Sequence, residues 1–243
     1  MRICAFSKRT VKEILRDPLT LVFGLGFPAV LMALLSAIQA NVPVSLFEIQ
    51  RLAPGMAVFG LSFMTLFSAS LIARDRESAF LTRLYATPMR AADFLLGYTL
   101  PLLPMALCQS LFCYGVGAAL GMKLTVRMAY ALACMISIAL LFIGLGLLFG
   151  SVLTQKQAGG VCGALLTNLT AWLSGIWFDL DLIGGAFQAA ARALPFYHAV
   201  QLEQAAFAGR PGEIAAHLPW VAGYAALAGA LAAVLFLRQM KKG

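Results

Sequence analysis

Six stretches of this chain contain no Asp, Glu, Lys or Arg. They lie between Asp17 and Glu48, Arg51 and Arg74, Asp93 and Lys123, Arg127 and Lys156, Lys156 and Asp179, and Glu213 and Arg238. Each holds an apolar run of at least about 18 residues, the length that crosses a bilayer as a helix. One Arg or Lys at a helix centre costs roughly 2.5–3.5 kcal/mol on insertion scales, which explains the empty middles. Charged residues make up only 12% of the 243, where a soluble domain carries about 25%. The chain therefore reads as a single all-α integral membrane domain over residues 1–243. Its six transmembrane helices are placed at about 19–40, 53–73, 94–120, 128–153, 158–178 and 219–237.

The segments between the spans have their own patterns. Residues 1–17 form an amphipathic helix. At about 100° per residue, Ile3, Phe6, Val11, Ile14 and Leu15 share one half of the wheel, with Lys8, Arg9, Lys12, Glu13 and Arg16 on the other. A basic amphipathic helix beside a span lies in the headgroup interface, and Asp17-Pro18 ends it. Asp93 is the expected N-cap of the third span, whose Pro101 and Pro104 predict a bend. Gly144, Gly146 and Gly150 on the fourth span suit close helix packing. Residues 154–157 read as a short turn. Between Asp179 and Leu218 lie two uncharged stretches of ten residues, split by Arg192. They are too short to span and too apolar for an ordinary loop, so they predict a re-entrant hairpin broken at Leu194-Pro195.

Lys and Arg are distributed asymmetrically. Thirteen of the 18 fall in the N-terminus, the 74–93 segment, the 154–157 turn and the C-terminus. The positive-inside rule places those four regions, and both termini, in the cytoplasm. Asp and Glu divide evenly, so the whole formal +8 lies on that side. Anionic membrane lipid accounts for such a basic rim, and no nucleic-acid partner is implied.

Several chemistries are absent. No predicted span contains an ionisable Asp, Glu, Lys or Arg of the kind that couples transport to an ion or proton. No Walker A motif occurs, so ATP is not bound through a P-loop of this chain. The five cysteines, Cys4, Cys108, Cys113, Cys134 and Cys162, have no CxxC spacing and read as small apolar residues, with no metal or other cofactor implied. An intramembrane serine protease is the enzyme alternative, from Ser174-Gly175 and His198, but Trp172 stands where a GxSG motif needs glycine. The other alternative is a membrane scaffold. What remains is a non-catalytic conduit powered from outside itself, in which the hydroxyl and amide groups of Ser62, Thr65, Ser68, Ser70, Thr167, Asn168, Thr170 and Ser174 are the polar groups available. Ser62, Thr65, Thr167, Asn168 and Ser174 are the candidates to line a pathway, with interhelical hydrogen bonding as the competing role.

Force must enter such a conduit on its cytoplasmic face, and one polar segment there lies between two spans. It runs Arg74-Asp-Arg-Glu-Ser-Ala-Phe-Leu-Thr-Arg-Leu-Tyr-Ala-Thr-Pro88. Phe80, Leu81, Leu84 and Tyr85 have helical spacing, and Thr87-Pro88 ends the helix. This segment resembles the one after the second span of ABC-2 type transporter permeases, roughly E-R-E-x-G-T-L-x-x-L-x-x-T-P. Arg76, Glu77, Leu81, Leu84, Thr87 and Pro88 match. Asp75 replaces the first glutamate, and Ala79-Phe80 replaces Gly-Thr. The six spans, the N-terminal helix and Ser174-Gly-Ile-Trp-Phe178 before the hairpin extend the resemblance, with Asp179 where a proline is common.

The resemblance implies a permease subunit of an ABC exporter in a prokaryotic plasma (inner) membrane. It pairs with a second permease, identical or related, and with a separate ATPase that binds ATP and Mg. The coupling surface implied is Arg76, Glu77, Phe80, Leu81, Arg83, Leu84, Tyr85, Thr87 and Pro88. Phe80, Leu84 and Tyr85 would enter a groove of the ATPase, with Arg76, Arg83 and Glu77 orienting it. The expected cargo is amphiphilic: a drug, lipid, glycan or peptide.

Overall fold

The computed structural model describes residues 2–43, 45, 47–78, 80 and 91–240. Among these there is no strand. Helix α1 spans Arg2–Leu15, α2 Pro18–Ala40, α3 Ile49–Glu77, α4 Ala91–Ala119 and α5 Arg127–Gly150. A helical run follows in three consecutive pieces: α6 (Gln155–Ala158), a π-helical stretch (Gly159–Leu166) and α7 (Thr167–Leu173). Then come α8 (Leu180–Ile183), α9 (Gly185–Ala193), α10 (Pro195–Ala208) and α11 (Pro211–Met240).

Five of these, α2, α3, α4, α5 and α11, are long and apolar enough to cross a membrane. The fifth predicted crossing, 158–178, is not a single α-helix of that kind. Its backbone widens into π geometry through Gly159, Gly160 and Gly163, and helix ends at Leu173. Gly175, at φ 76°, then turns the chain. Small residues leave the helix wall thin there, and Leu66 of α3 occupies the space in front of Gly163. Other boundaries shift as well. Asp93 sits inside the first turn of α4, past the N-cap position expected of it. Thr154 makes a capping box with Gln157, so the expected 154–157 turn is the start of α6. The last helix begins eight residues before Pro219 and carries that proline inside.

α3 is the central helix. Of its apolar window 83% is buried, against 22% for α2 and for α11. It reaches that burial by close approach to α5. A Cβ on Gly146 would stand 2.6 Å from Thr65 O, and one on Gly150 would stand 2.7 Å from Ala69 O. The same seam carries a hydrogen bond from Thr65 Oγ1 to Phe142 O, 2.9 Å. Large side chains fill the rest of the core: Tyr98, Tyr114, Phe94, Phe142 and Phe236 are fully buried.

The hairpin region breaks where expected. Leu194 is extended and Pro195 opens α10, where its missing N–H costs nothing. Gly209 closes α10 in the left-handed region, and Arg210 N bonds back to Ala205 O at 2.9 Å. The Arg127 side chain fills the space a Cβ would need at Gly209, and donates to Ala208 O at 2.8 Å.

Candidate coupling site

The ends of α1, α3, α4, α5 and α11 meet at one end of the bundle, around a single buried carboxylate. Asp75, near the C-terminus of α3, is 1% exposed. It accepts two hydrogen bonds from the Arg9 guanidinium, at 2.7 and 2.5 Å, and one from Tyr98 of α4 at 2.7 Å. A carboxylate so far from water needs a cation, and the amphipathic helix supplies it. Arg9 also bonds Glu13 at 3.0 Å, which in turn accepts from Arg74 at 3.3 Å. The bond from Asp75 holds the Arg9 guanidinium above its ordinary pKa against the effect of burial. Burial, reinforced by the charge of Asp75, pushes the Glu13 carboxyl up, while Arg9 and Arg74 pull it down.

Phe6 is the apolar half of this clasp. Its ring meets Tyr98 edge-on at 4.8 Å and lies nearly parallel to Phe80 at 6.3 Å. Gly97 makes room for it, since a Cβ there would come 2.0 Å from the Phe6 ring. Arg9 also stacks on Phe80, its guanidinium carbon 3.8 Å from the ring centroid. The helical wheel is therefore used differently from expectation. The docking face of α1 is Phe6, Arg9, Thr10 and Glu13, while Val11 and Leu15 are exposed. Asp75 turns the charged edge of α1 inward.

Arg76 and Glu77, two of the predicted coupling charges, grip the chain's own next turn. Arg76 donates to Ser151 O and to Leu153 O, the latter at 2.5 Å, and so caps the end of α5. Glu77 accepts from Gln155 N at 3.0 Å, at the start of α6. Gln239 of α11 joins them through Ser151 O at 2.6 Å. Phe80 packs on α1. Leu81, Arg83, Leu84, Tyr85, Thr87 and Pro88 lie outside the described residues. A polar cleft of about 200 Å³ opens beside the clasp, with Glu13, Asp17, Ser70 and Arg74 in its wall.

The candidate pathway residues divide. Ser62, Ser68, Thr167 and Thr170 donate to carbonyls of their own helices, Thr65 crosses to α5, and all five are buried. Ser174 is buried and has no hydrogen-bond partner among the described residues. His198 engages His217 and the Arg192 carbonyl, so Ser174 and His198 do not form a catalytic pair. Asn168 alone is exposed, donating to Ala164 O at 2.8 Å. It faces, with Thr167, a groove of about 500 Å³ whose walls are Phe23, Phe27, Phe59, Phe63 and Trp172.

Two features escaped the sequence. Asp75 reads as a mere variant of a motif glutamate, although Arg9 at mid-helix and Tyr98 one turn into the next span were its available partners. Glu203 falls just after an apolar stretch, yet it is fully buried in α10. Tyr114 of α4 donates to its Oε1, and its Oε2 has no partner among the described residues. A single carboxylate within Ala-Val-Gln-Leu-Glu-Gln-Ala-Ala-Phe was the signal available.

Five apolar helices long enough to cross a bilayer, tied at one end to an amphipathic N-terminal helix, are the frame of a multi-pass membrane protein. The family model described as ABC-2 type transporter matches residues 1–207, and the chain belongs to that family. It is a multi-pass membrane protein and a membrane transport component. No curated protein matches it significantly.

Proposed function

We propose that this chain is the permease subunit of an ATP-binding cassette exporter, driven by a separate ATPase that binds ATP and Mg. On this reading six segments cross the bilayer, the sixth being the run Gln155–Leu173. Its 19 residues would extend at most about 28 Å at the α-helical 1.5 Å per residue, and the wider π turns shorten this, so the run falls a little short of the roughly 30 Å hydrocarbon thickness. The clasp faces the cytoplasm of a prokaryote, both termini lie there, and α8 to α10 form a hairpin entering the opposite leaflet. The observation that carries the reading is the clasp itself. It joins the N-terminal helix to Phe80, the first residue of the segment where the ATPase docks through Leu81, Arg83, Leu84 and Tyr85, ending at Thr87-Pro88. Arg76 and Glu77 then act from behind, passing displacement of that segment to the ends of α5 and α6.

The aromatic groove is the face for a second permease copy and for the cargo. Asn168 supports this, because an exposed amide on a lipid-facing wall forfeits hydrogen bonds. Aromatic walls with one amide and one hydroxyl suit an amphiphile moving outward. The test is co-purification in mild detergent with an ATPase carrying a Walker A motif, expressed together with this chain. Leu84→Asp abolishes co-purification and stimulated ATP hydrolysis while membrane insertion stays intact. Unchanged co-purification would refute the docking role of this segment.

A further inference from the structure

Two tyrosines of α4 each donate to a buried acid. Tyr98, near one end of the helix, bonds Asp75, and Tyr114, about four turns further on, bonds Glu203 of α10. The two acids are otherwise supplied very differently. Asp75 also takes two hydrogen bonds from the Arg9 guanidinium. Glu203 has the neutral phenol alone. It is 0% exposed, and its Oε2 is buried with no hydrogen-bond partner among the described residues. An ionised carboxylate accepts up to about four hydrogen bonds. Removed from water and left with a single donor, it forfeits most of its solvation. The Phe207 ring stacks on Tyr114 at 5.9 Å and helps to close the site.

No cation makes up the difference. α10 packs on α3, α5, α7, α9 and α11, and the charged groups of these helices are engaged elsewhere. Arg51 of α3 offers its carbonyl to Gln204, and its side chain is exposed. Arg127 of α5 donates to Ala208 O, and Arg192 of α9 pairs with Asp181. On α11, His217 meets His198 and Glu213 pairs with Arg210. The titratable groups that do feel this pair of side chains are thiols, Cys134 of α5 and Cys113 beside Tyr114. A carboxyl with neither water nor a counter-charge is held neutral.

We propose that Glu203 is a proton-binding site that ties the seating of the hairpin helix α10 to pH. Seated beside Tyr114, the carboxyl carries a proton. When α10 withdraws and water enters, the carboxyl O–H bond breaks, the proton passes to water and the electron pair stays on the carboxylate. Reseating takes a proton back. Each opening of the hairpin therefore exchanges one proton with the medium at the end of the bundle opposite the clasp. Seating is favoured at low pH and is lost as pH rises above the ordinary glutamate range near about 4.3. One proton per opening sets a limit of about tenfold per pH unit on the rise of the opening constant. None of the residues proposed for coupling or cargo takes part, so the site stands whether or not an ATPase drives this chain.

Two measurements on the full chain in detergent test this. Infrared spectra at about pH 7 should show the carbonyl stretch of an un-ionised carboxylic acid, and Glu203→Gln should remove that contribution. Amide hydrogen exchange over residues 196–207, corrected for its intrinsic pH dependence, should report opening that rises by nearly tenfold per unit between about pH 5 and pH 7. Glu203→Gln keeps an acceptor for Tyr114 and cannot ionise, so its opening should not rise. An acid carbonyl stretch unchanged in Glu203→Gln overturns the proposal, as does the same pH slope in variant and native chain. A native chain whose α10 protection is independent of pH overturns it without any variant.

Discussion

Replacing Arg9 and replacing Asp75 should have unequal costs, although the two side chains share one ion pair. The Asp75 side chain is 2% exposed and that of Arg9 31%. Arg9→Ala strands a carboxylate that keeps only the Tyr98 hydroxyl. Removing one partner of a buried pair costs about 3–5 kcal/mol, and the partial exposure of Arg9 reduces this to about 2–3 kcal/mol. Asp75→Asn keeps an acceptor for Arg9 or Tyr98 and releases a guanidinium that can reach water, for about 0.5–1.5 kcal/mol. At 1.4 kcal/mol per tenfold, undocking of α1 rises roughly 30- to 150-fold in the first variant and 2- to 12-fold in the second. Amide hydrogen exchange over residues 6–15 reads this opening without requiring global unfolding. The double variant Arg9→Ala/Asp75→Asn should protect α1 better than Arg9→Ala alone, since no buried charge is left over. Equal exchange in the two single variants, or a double variant worse than both, would refute the account of Asp75 as a carboxylate dependent on its cation.

Gly146→Val drives a side chain into Thr65 O and the Ser68 hydroxyl, so detergent-extracted material should lose its monodisperse size-exclusion peak. Gly115→Ala, with nothing within 4 Å of the new Cβ, should keep it. Arg76→Gln gives up charge-assisted bonds to Ser151 O and Leu153 O, each worth about 1.5–3 kcal/mol. Its melting temperature should fall while Lys123→Gln, at an exposed position, leaves it unchanged. Tyr114→Phe removes the hydroxyl that donates to buried Glu203 and should lower the melting temperature more than Glu203→Gln, which keeps an acceptor for that hydroxyl in a side chain of the same size.

The helices were legible because lipid imposes a simple rule on sequence, and charge-free runs of sufficient length follow from it. The Leu194-Pro195 break was legible for an equally local reason, a proline that can only begin a helix. What failed to show was pairing across distance. Arg9 counted as one of four basic residues on a solvated helical face, because nothing local marks a guanidinium as the partner of an aspartate 66 positions on. Arg76 belonged to a recognisable motif, and the motif carries no hint that its side chain caps α5. The fifth crossing was misjudged in shape because hydropathy measures length and polarity, whereas three glycines in five residues decide how wide the helical turn is.

These pairings define how a displacement would travel. On the proposed coupling, displacement enters α3 at its C-terminal end, where Arg76 and Glu77 hold the end of α5 and the start of α6 by hydrogen bonds to backbone atoms. Backbone partners have no rotamers to yield, so the linkage is stiffer than side chains alone would make it. Along the membrane, Gly146 and Gly150 place α5 directly against the backbone of α3, and such a seam shears less readily than one padded by long side chains. At the far end Gln204 of α10 donates to Arg51 O at 3.0 Å, tying the hairpin to the start of α3. α3, α5 and α10 are thus linked by hydrogen bonds to backbone carbonyls, while α2 is largely exposed beside them. On the proposed coupling, displacement at the clasp would reach the aromatic groove along α3, whose Phe59 and Phe63 stand in its wall.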